Sequence, residues 1–172
     1  MKKLVLFLTL FFCIFLNIFG QNTSNKEHTV YIDLFPMVNG IVSGGIGLGI
    51  GYEHSLGQYF GIGGEFIFVS NFNDAFSYNI IMNGKFYPIQ TKIGNLFIDT
   101  GLGYRRRKSN FDGANDDIHC LVGVAHPGWK FILGKGFILE PGFGVRYDFI
   151  TFSGDEAYKF GLNILLKIGW IF

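Results

Sequence analysis

The side chains that could ligate a metal or act as nucleophiles are four histidines and two cysteines: His28, His54, His119, His126, Cys13 and Cys120. A zinc site needs three or four such ligands, and the spacing of these residues matches no known set. His126 and Cys120 share a face of a candidate strand, but two ligands do not complete a site. The sequence therefore predicts no metal site, no cofactor and no enzymatic activity.

The run Gly45–Gly51 has glycine at every second position. A dinucleotide-binding fingerprint needs G-x-G-x-x-G at the start of a helix, with an acidic residue about 20 positions later. Here the glycines alternate strictly and no helical pattern follows. Nucleotide binding is excluded, and the formal charge of +1 does not indicate a nucleic-acid partner.

Four consecutive cations, Arg105 to Lys108, begin the longest polar connection in the sequence. One interpretation is a solvated loop end. The other is a surface-contact site in which Arg106, Arg107 and Lys108 pair with phosphates of lipid or of a surface polysaccharide, a geometry that guanidinium groups suit. The residues alone leave both interpretations open.

Residues 1–20 have the layout of a secretory signal peptide. Lys2 and Lys3 precede an apolar run, and Gly20 is a small residue before a polar segment, residues 21–28. The run is shorter than the roughly 20 residues that a spanning helix needs. If the chain is cut after Gly20, Cys120 is the one cysteine left and no intramolecular disulfide can form.

The chain as a whole is rich in aromatic residues (18%) and in glycine (25 residues), and only 16% of it is charged. This composition excludes disorder and disfavours helices. Apolar side chains recur at every second position, as they do in strands with one apolar face. The last such segment is the clearest, with Phe160, Leu162, Ile164 and Leu166 opposite Gly161 and Asn163.

The alternation predicts eight strands in residues 29–172, two of them weaker: one around Val30–Phe35 and one in His119–Phe131, where Pro127 indicates a bulge. After the second strand, short connections alternate with longer polar ones. The connection after the first strand, near Met37–Gly40, is also short and breaks this rule. The long connections are Ser70–Ala75, Arg106–Asp117 and Thr151–Glu156. Short turns at one rim and longer loops at the other are typical of an outer-membrane barrel.

Nine charged residues fall on the polar side of the alternation: Asp33, Glu53, Glu65, Lys85, Asp99, Arg105, Glu140, Arg146 and Lys167. An eight-stranded barrel has little interior room, and the glycines on the same side leave space for long side chains to cross and pair. The apolar side carries bulky residues that such an interior could not hold. We therefore predict that the apolar face points outward and that the charges form a salt-bridged plug; a narrow pore is the alternative.

The chain resembles the small eight-stranded outer-membrane barrels of diderm bacteria, of the OmpX and OmpA-barrel type. More narrowly, Lys85–Pro88, Leu96–Tyr104 and Gly136–Val145 resemble segments of a family of uncharacterised barrels. In the barrels that this chain resembles, a C-terminal aromatic is the signal that the barrel-assembly machinery recognises. The resemblance implies that role for Phe172, together with Trp170.

These observations predict an all-β protein, an eight-stranded antiparallel up-and-down transmembrane barrel in the cell outer membrane. The expected role is structural or surface interaction, with outer-membrane lipid and the assembly machinery as partners and the long loops available to a surface ligand. Two alternatives remain: a narrow pore for small solutes, and a soluble secreted lipid-binding barrel, which would hide its apolar face inside.

Overall fold

A computed structural model describes residues 28–71, 75–91, 94–111, 114–151 and 159–172. The predicted signal peptide (1–20), most of the polar segment 21–28, and residues 72–74, 112–113 and 152–156 of the three predicted long loops lie outside these residues. Among the described residues, no helix is long and apolar enough to cross a membrane.

Eight antiparallel strands follow one another around a closed barrel in chain order. They are β1 (His28–Asp33), β2 (Gly45–Ser55), β3 (Phe60–Asn71), β4 (Ala75–Thr91), β5 (Gly94–Phe111), β6 (Ala114–Leu133), β7 (Phe137–Thr151) and β8 (Lys159–Ile171). One helix, α1 (Phe35–Val42), separates β1 from β2. The prediction of an eight-stranded up-and-down barrel is confirmed. We call the barrel end with connections 56–59 and 134–136 the turn rim, and the opposite end the loop rim.

The outer face of the barrel is apolar and the inner face is polar. Side chains on the outward parity of β8 are among the most exposed, with Leu162 at 84% and Phe160 at 66%. Inward-facing charged side chains are buried instead, including Glu140 at 0% and Lys167 at 1%. Eight strands enclose an interior narrow enough for side chains to fill. Charged side chains buried there must pair with one another, because an unpaired buried charge is strongly destabilising.

The first connection differs from its prediction. We expected β1 to reach Phe35 and a short connection to follow near Met37–Gly40, but β1 ends at Asp33 and α1 follows. Pro36 lies in the first turn of the helix, where proline is tolerated, and the backbone N–H of Phe35 donates to Oδ1 of Asp33 at 3.0 Å. The apolar alternation could not reveal this helix because it is only two turns long.

Inward glycines of β2 let α1 pack directly on the strand. A Cβ at Gly47 would overlap the carbonyl oxygen of Pro36, and a Cβ at Gly40 would overlap the backbone of Ile46 and Gly47. Pro36 and Gly40, one helical turn apart, are the buried residues of the helix. The alternating glycine run is therefore a packing surface on the lumen side of the wall.

Two further details correct the sequence predictions. Most of the predicted loop Arg106–Asp117 is strand, because β5 and β6 stay paired from Gly94 with Phe131 to Phe111 with Ala114. Pro127 takes a regular place opposite Ile98. The irregular positions lie elsewhere, between Phe86 and Ile89 of β4 and beside Leu121 of β6, so the bulge predicted at Pro127 is wrong.

Candidate functional site: the charged interior

Two lysines and two glutamates form the ion cluster nearest the turn rim. The Nζ of Lys85 lies 2.8 Å from Glu53 and 2.7 Å from Glu140, and the Nζ of Lys130 lies 3.1 Å and 3.4 Å from the same two carboxylates. The hydroxyl of Tyr87 donates to Glu53. All four charged side chains are at most 3% exposed, so each ion is balanced by a partner rather than by water.

A second cluster lies beside the first. The Nζ of Lys167 donates to Glu65 at 2.8 Å and lies 3.9 Å from Asp99. The amide of Asn83 donates to both oxygens of Asp99, at 3.0 and 3.1 Å. The Lys167 ammonium also lies 4.4 Å from the centre of the Tyr31 ring, within range of a cation–π interaction. Tyr31 in turn fills the space left by Gly51, where a Cβ would overlap its ring.

An apolar layer separates these clusters from the loop rim. Ile81, Cys120, Val122 and Val124 are all buried and pack together, with the half-buried Ile67 against them. Cys120 is buried in this layer and packs there as a small apolar residue. The ion clusters and the apolar layer are thus buried in the described part of the lumen.

Beside the apolar layer, on the neighbouring strands, lies a group of guanidinium ions. Arg105 Nη1 donates to Asp148 Oδ2 at 3.0 Å, and Arg146 Nε lies 3.3 Å from the other carboxylate oxygen. Arg107 is two residues further along β5, on the same inward parity as Arg105. We name Arg105, Arg107, Arg146 and Asp148 the mouth cluster.

The other two cations of the basic run face outward, where the apolar band ends. Arg106 forms a bidentate hydrogen bond with Asp117, in which Nε and Nη2 donate to the two carboxylate oxygens at 2.9 and 2.6 Å. Its guanidinium lies 5.7 Å from the centre of the Phe76 ring. His119 lies 3.2 Å from the same carboxylate. The hydrogen bonds from Arg106 lower the pKa of Asp117 to about 2. Lys108 is one outward position beyond Arg106 on β5, so the four-cation run is split between the two faces of the wall.

Trp170 and Phe172 lie at the turn rim and face outward, 49% and 58% exposed. The backbone of Phe172 pairs with His28, through bonds of 3.0 and 2.8 Å. Trp170 lies beside Val30 of β1 and Phe137 of β7. The predicted assembly residues are thus exposed beside the seam at which β8 closes the barrel.

All nine predicted charges point into the barrel, but the structure divides them into separate groups. Asp33 bonds the backbone at the end of β1, Arg105 and Arg146 belong to the mouth cluster, and the other six belong to the two ion clusters. Sequence reasoning missed Lys130 and Asp148. Lys130 shares the inward parity of His126, a signal that the expected bulge at Pro127 obscured.

Neither ion cluster has the composition of a metal site. Among the described residues, no three His, Cys, Asp or Glu side chains converge to hold an ion. His126 faces inward and contacts the amide of Asn163 at 3.0 Å, away from Cys120. The arrangement of lysines between carboxylates makes the interior a set of fixed ion pairs.

Apolar residues outside and paired charges inside define the fold class of a transmembrane up-and-down β-barrel. No family model matches the sequence, and no curated protein matches it either. Among solved structures, the chain is similar to Neisserial surface protein A (NspA), with a TM-score of 0.54. The match covers 85% of this chain and 93% of that chain at 10% identity, so the likeness is one of fold.

Proposed function

We propose that the protein is an integral outer-membrane barrel of a diderm bacterium, with a structural or surface-interaction role and no catalysis. The observation that carries this proposal is the inverted polarity of the barrel. A soluble lipid-binding barrel would bury its apolar face, whereas here Leu102, Phe143 and Leu162 are 66%, 69% and 84% exposed. Only a hydrocarbon surrounding makes such a surface favourable. The similarity of fold to a protein named as a neisserial surface protein supports the same location.

The filled interior favours a closed barrel over the narrow pore. A solute on the barrel axis would have to displace Lys85 and Lys130 from Glu53 and Glu140 and then pass the apolar layer around Val122. Breaking buried ion pairs costs several kcal/mol each. We infer that the barrel supports surfaces at its loop rim and holds its interior fixed. The finer assignment to the OmpX and OmpA-barrel type is part of this proposal.

Outward cations suggest how the barrel meets its membrane. Arg106 and Lys108 flank the end of the apolar band, beside the ring of Phe76. Phosphate groups of outer-leaflet lipid or of surface polysaccharide would lie at that level, and arginine is suited to bind them. We assign this contact to Arg106 and Lys108 and not to Arg107, which lies on the inward parity.

Fractionation combined with gel mobility tests the proposal. Small membrane barrels stay folded in cold detergent, so the protein from the outer-membrane fraction should change mobility only after boiling. A protein found free in the periplasm or medium, with no mobility change, would overturn the membrane assignment. Steady single-channel steps in planar bilayers would instead overturn the closed interior.

A further inference from the structure

We propose that the mouth cluster binds a soluble oxyanion, phosphate or carboxylate, from the loop-rim side. The mouth cluster has an excess of positive charge. Among the described residues, it contains three guanidinium ions and one carboxylate, Asp148. The two clusters below have the opposite imbalance, with Lys85, Lys130 and Lys167 against four carboxylates.

Solvent exposure differs between the cations and their carboxylate. The side chains of Arg105 and Arg146 are 14% and 28% exposed, whereas Asp148 is 6% exposed. A molecule approaching from the loop rim therefore meets guanidinium groups first. In the ion clusters below, Lys85, Lys130 and Lys167 are only 1–3% exposed and cannot be approached in this way.

Hydrogen bonding in the mouth cluster is incomplete. Among the described residues, the buried Nε of Arg105 has no hydrogen-bond partner. The Nε of Arg146 forms an ion pair with Asp148 Oδ1 at 3.3 Å, but within the described part of the chain neither atom makes a hydrogen bond. A buried donor without an acceptor is destabilising. An oxyanion accepts several such donors at once and matches the planar fork of each guanidinium.

The surroundings strengthen the attraction. The buried apolar residues Cys120 and Val122 lie directly across from Arg105 and Asp148 on the neighbouring strands and lower the local dielectric constant. On the other side, the guanidinium of Arg146 lies over Gly161 of β8, with Nη2 3.4 Å from the place of an absent Cβ. A larger residue at Gly161 would push Arg146 away from the cluster.

The test is calorimetric titration of inorganic phosphate into the full barrel, purified in a detergent with a sugar headgroup at low ionic strength. Arg146→Gln should weaken binding by about tenfold or more, the loss expected for a charge-assisted hydrogen bond. Lys135→Gln is the control, because Lys135 lies in the 134–136 connection at the turn rim, at the opposite end of the barrel from the mouth cluster; it should change the affinity less than twofold. Asp148→Asn removes the competing carboxylate and should tighten binding.

Two further measurements accompany the titration: a check of folding and a second measure of binding. Cold-detergent gel mobility verifies that each variant is folded, and Arg146→Lys, which keeps a positive charge, replaces Arg146→Gln if the latter does not fold. The side-chain NMR signals of the wild-type arginines provide a second measure, since phosphate should shift those of Arg105 and Arg146. Absence of binding to the wild type, or equal weakening by Lys135→Gln and Arg146→Gln, would overturn the proposal.

Discussion

Lys85 and Glu140 meet at 2.7 Å although their strands, β4 and β7, are not neighbours in the barrel. Their contact crosses the lumen, as does the contact of Lys85 with Glu53 of β2 at 2.8 Å. One ammonium therefore ties three separate parts of the wall together. Cross-lumen pairs of this kind explain how a barrel with an apolar exterior obtains a rigid core.

Removing one carboxylate should expose the dependence of the fold on this cluster. Glu140→Gln leaves Lys85 and Lys130 with Glu53 alone, and breaking a buried pair costs about 3–5 kcal/mol. Urea unfolding in lipid vesicles, followed by tryptophan fluorescence, should show that loss. Asp117→Asn, at an exposed pair, is the control and should leave the unfolding curve nearly unchanged. A wild-type curve for Glu140→Gln would contradict the cross-lumen role.

The packing of α1 against the inward glycines of β2 can be tested by adding one methyl group. Gly47→Ala places a Cβ against the backbone of Pro36, and overpacking of this kind costs about 1–3 kcal/mol. We expect faster amide exchange in α1 and a lower unfolding temperature. Gly64→Ala is the matched control, since its nearest neighbour would be the Ile81 oxygen at 3.6 Å. Equal effects of the two substitutions would refute the helix-packing role.

A charge on the outer wall should prevent normal insertion. Ile164 is 51% exposed at mid-strand, and arginine at the bilayer midplane costs roughly 2–4 kcal/mol. Ile164→Arg should therefore lower the folded fraction in lipid vesicles, as read by gel mobility, whereas Ile164→Val should not. If the arginine variant folds as well as the wild type, the outward face does not meet lipid.

The C-terminal aromatic should affect assembly more than final stability. Phe172→Ala keeps the backbone bonds to His28 but removes the exposed ring. We expect slower appearance of the heat-modifiable form in cells and a nearly unchanged unfolding curve after refolding in vitro. Substituting the exposed Phe143, which is distant from the C-terminus, provides a comparison. Equal insertion rates for Phe172→Ala and the wild type would remove the assembly role.

The outward-facing ion pair between Arg106 and Asp117 should depend on pH. Because the folded-state pKa of Asp117 is lowered to about 2, the pair is present at neutral pH and is lost as the pH falls through that value. Carboxyl NMR in micelles should give a midpoint near 2, and Arg106→Gln should raise it toward the ordinary value of about 3.9. A titration midpoint of Asp117 near 3.9 in the wild type would show that the bidentate hydrogen bond with Arg106 does not form in solution.

The strand number and the direction of the faces could be read from the sequence because both depend on period-two alternation. The helix α1 could not, since its packing depends on Gly40 and Gly47 meeting after the chain turns. The partner of each buried charge could not be predicted from the sequence either. Parity places Lys85 in the lumen but does not indicate whether Glu53, Glu65 or Glu140 faces it across the barrel, which depends on strand tilt and register.

The brevity of β1 has a consequence for how the ring is completed. The ladder between β1 and β8 runs from Thr29 to Asp33 and is extended by backbone bonds of His28 with Phe172 and of Leu34 with Leu166, whereas β5 and β6 stay paired along a much longer stretch. The long hairpins can form from neighbouring sequence, but the first and last strands must find each other across the whole chain. Closure there relies on few backbone bonds and on the side chains beside them, Tyr31 and Lys167. Because these contacts join the two ends of the chain, we expect the seam between β1 and β8 to form later than the hairpins and to open before them.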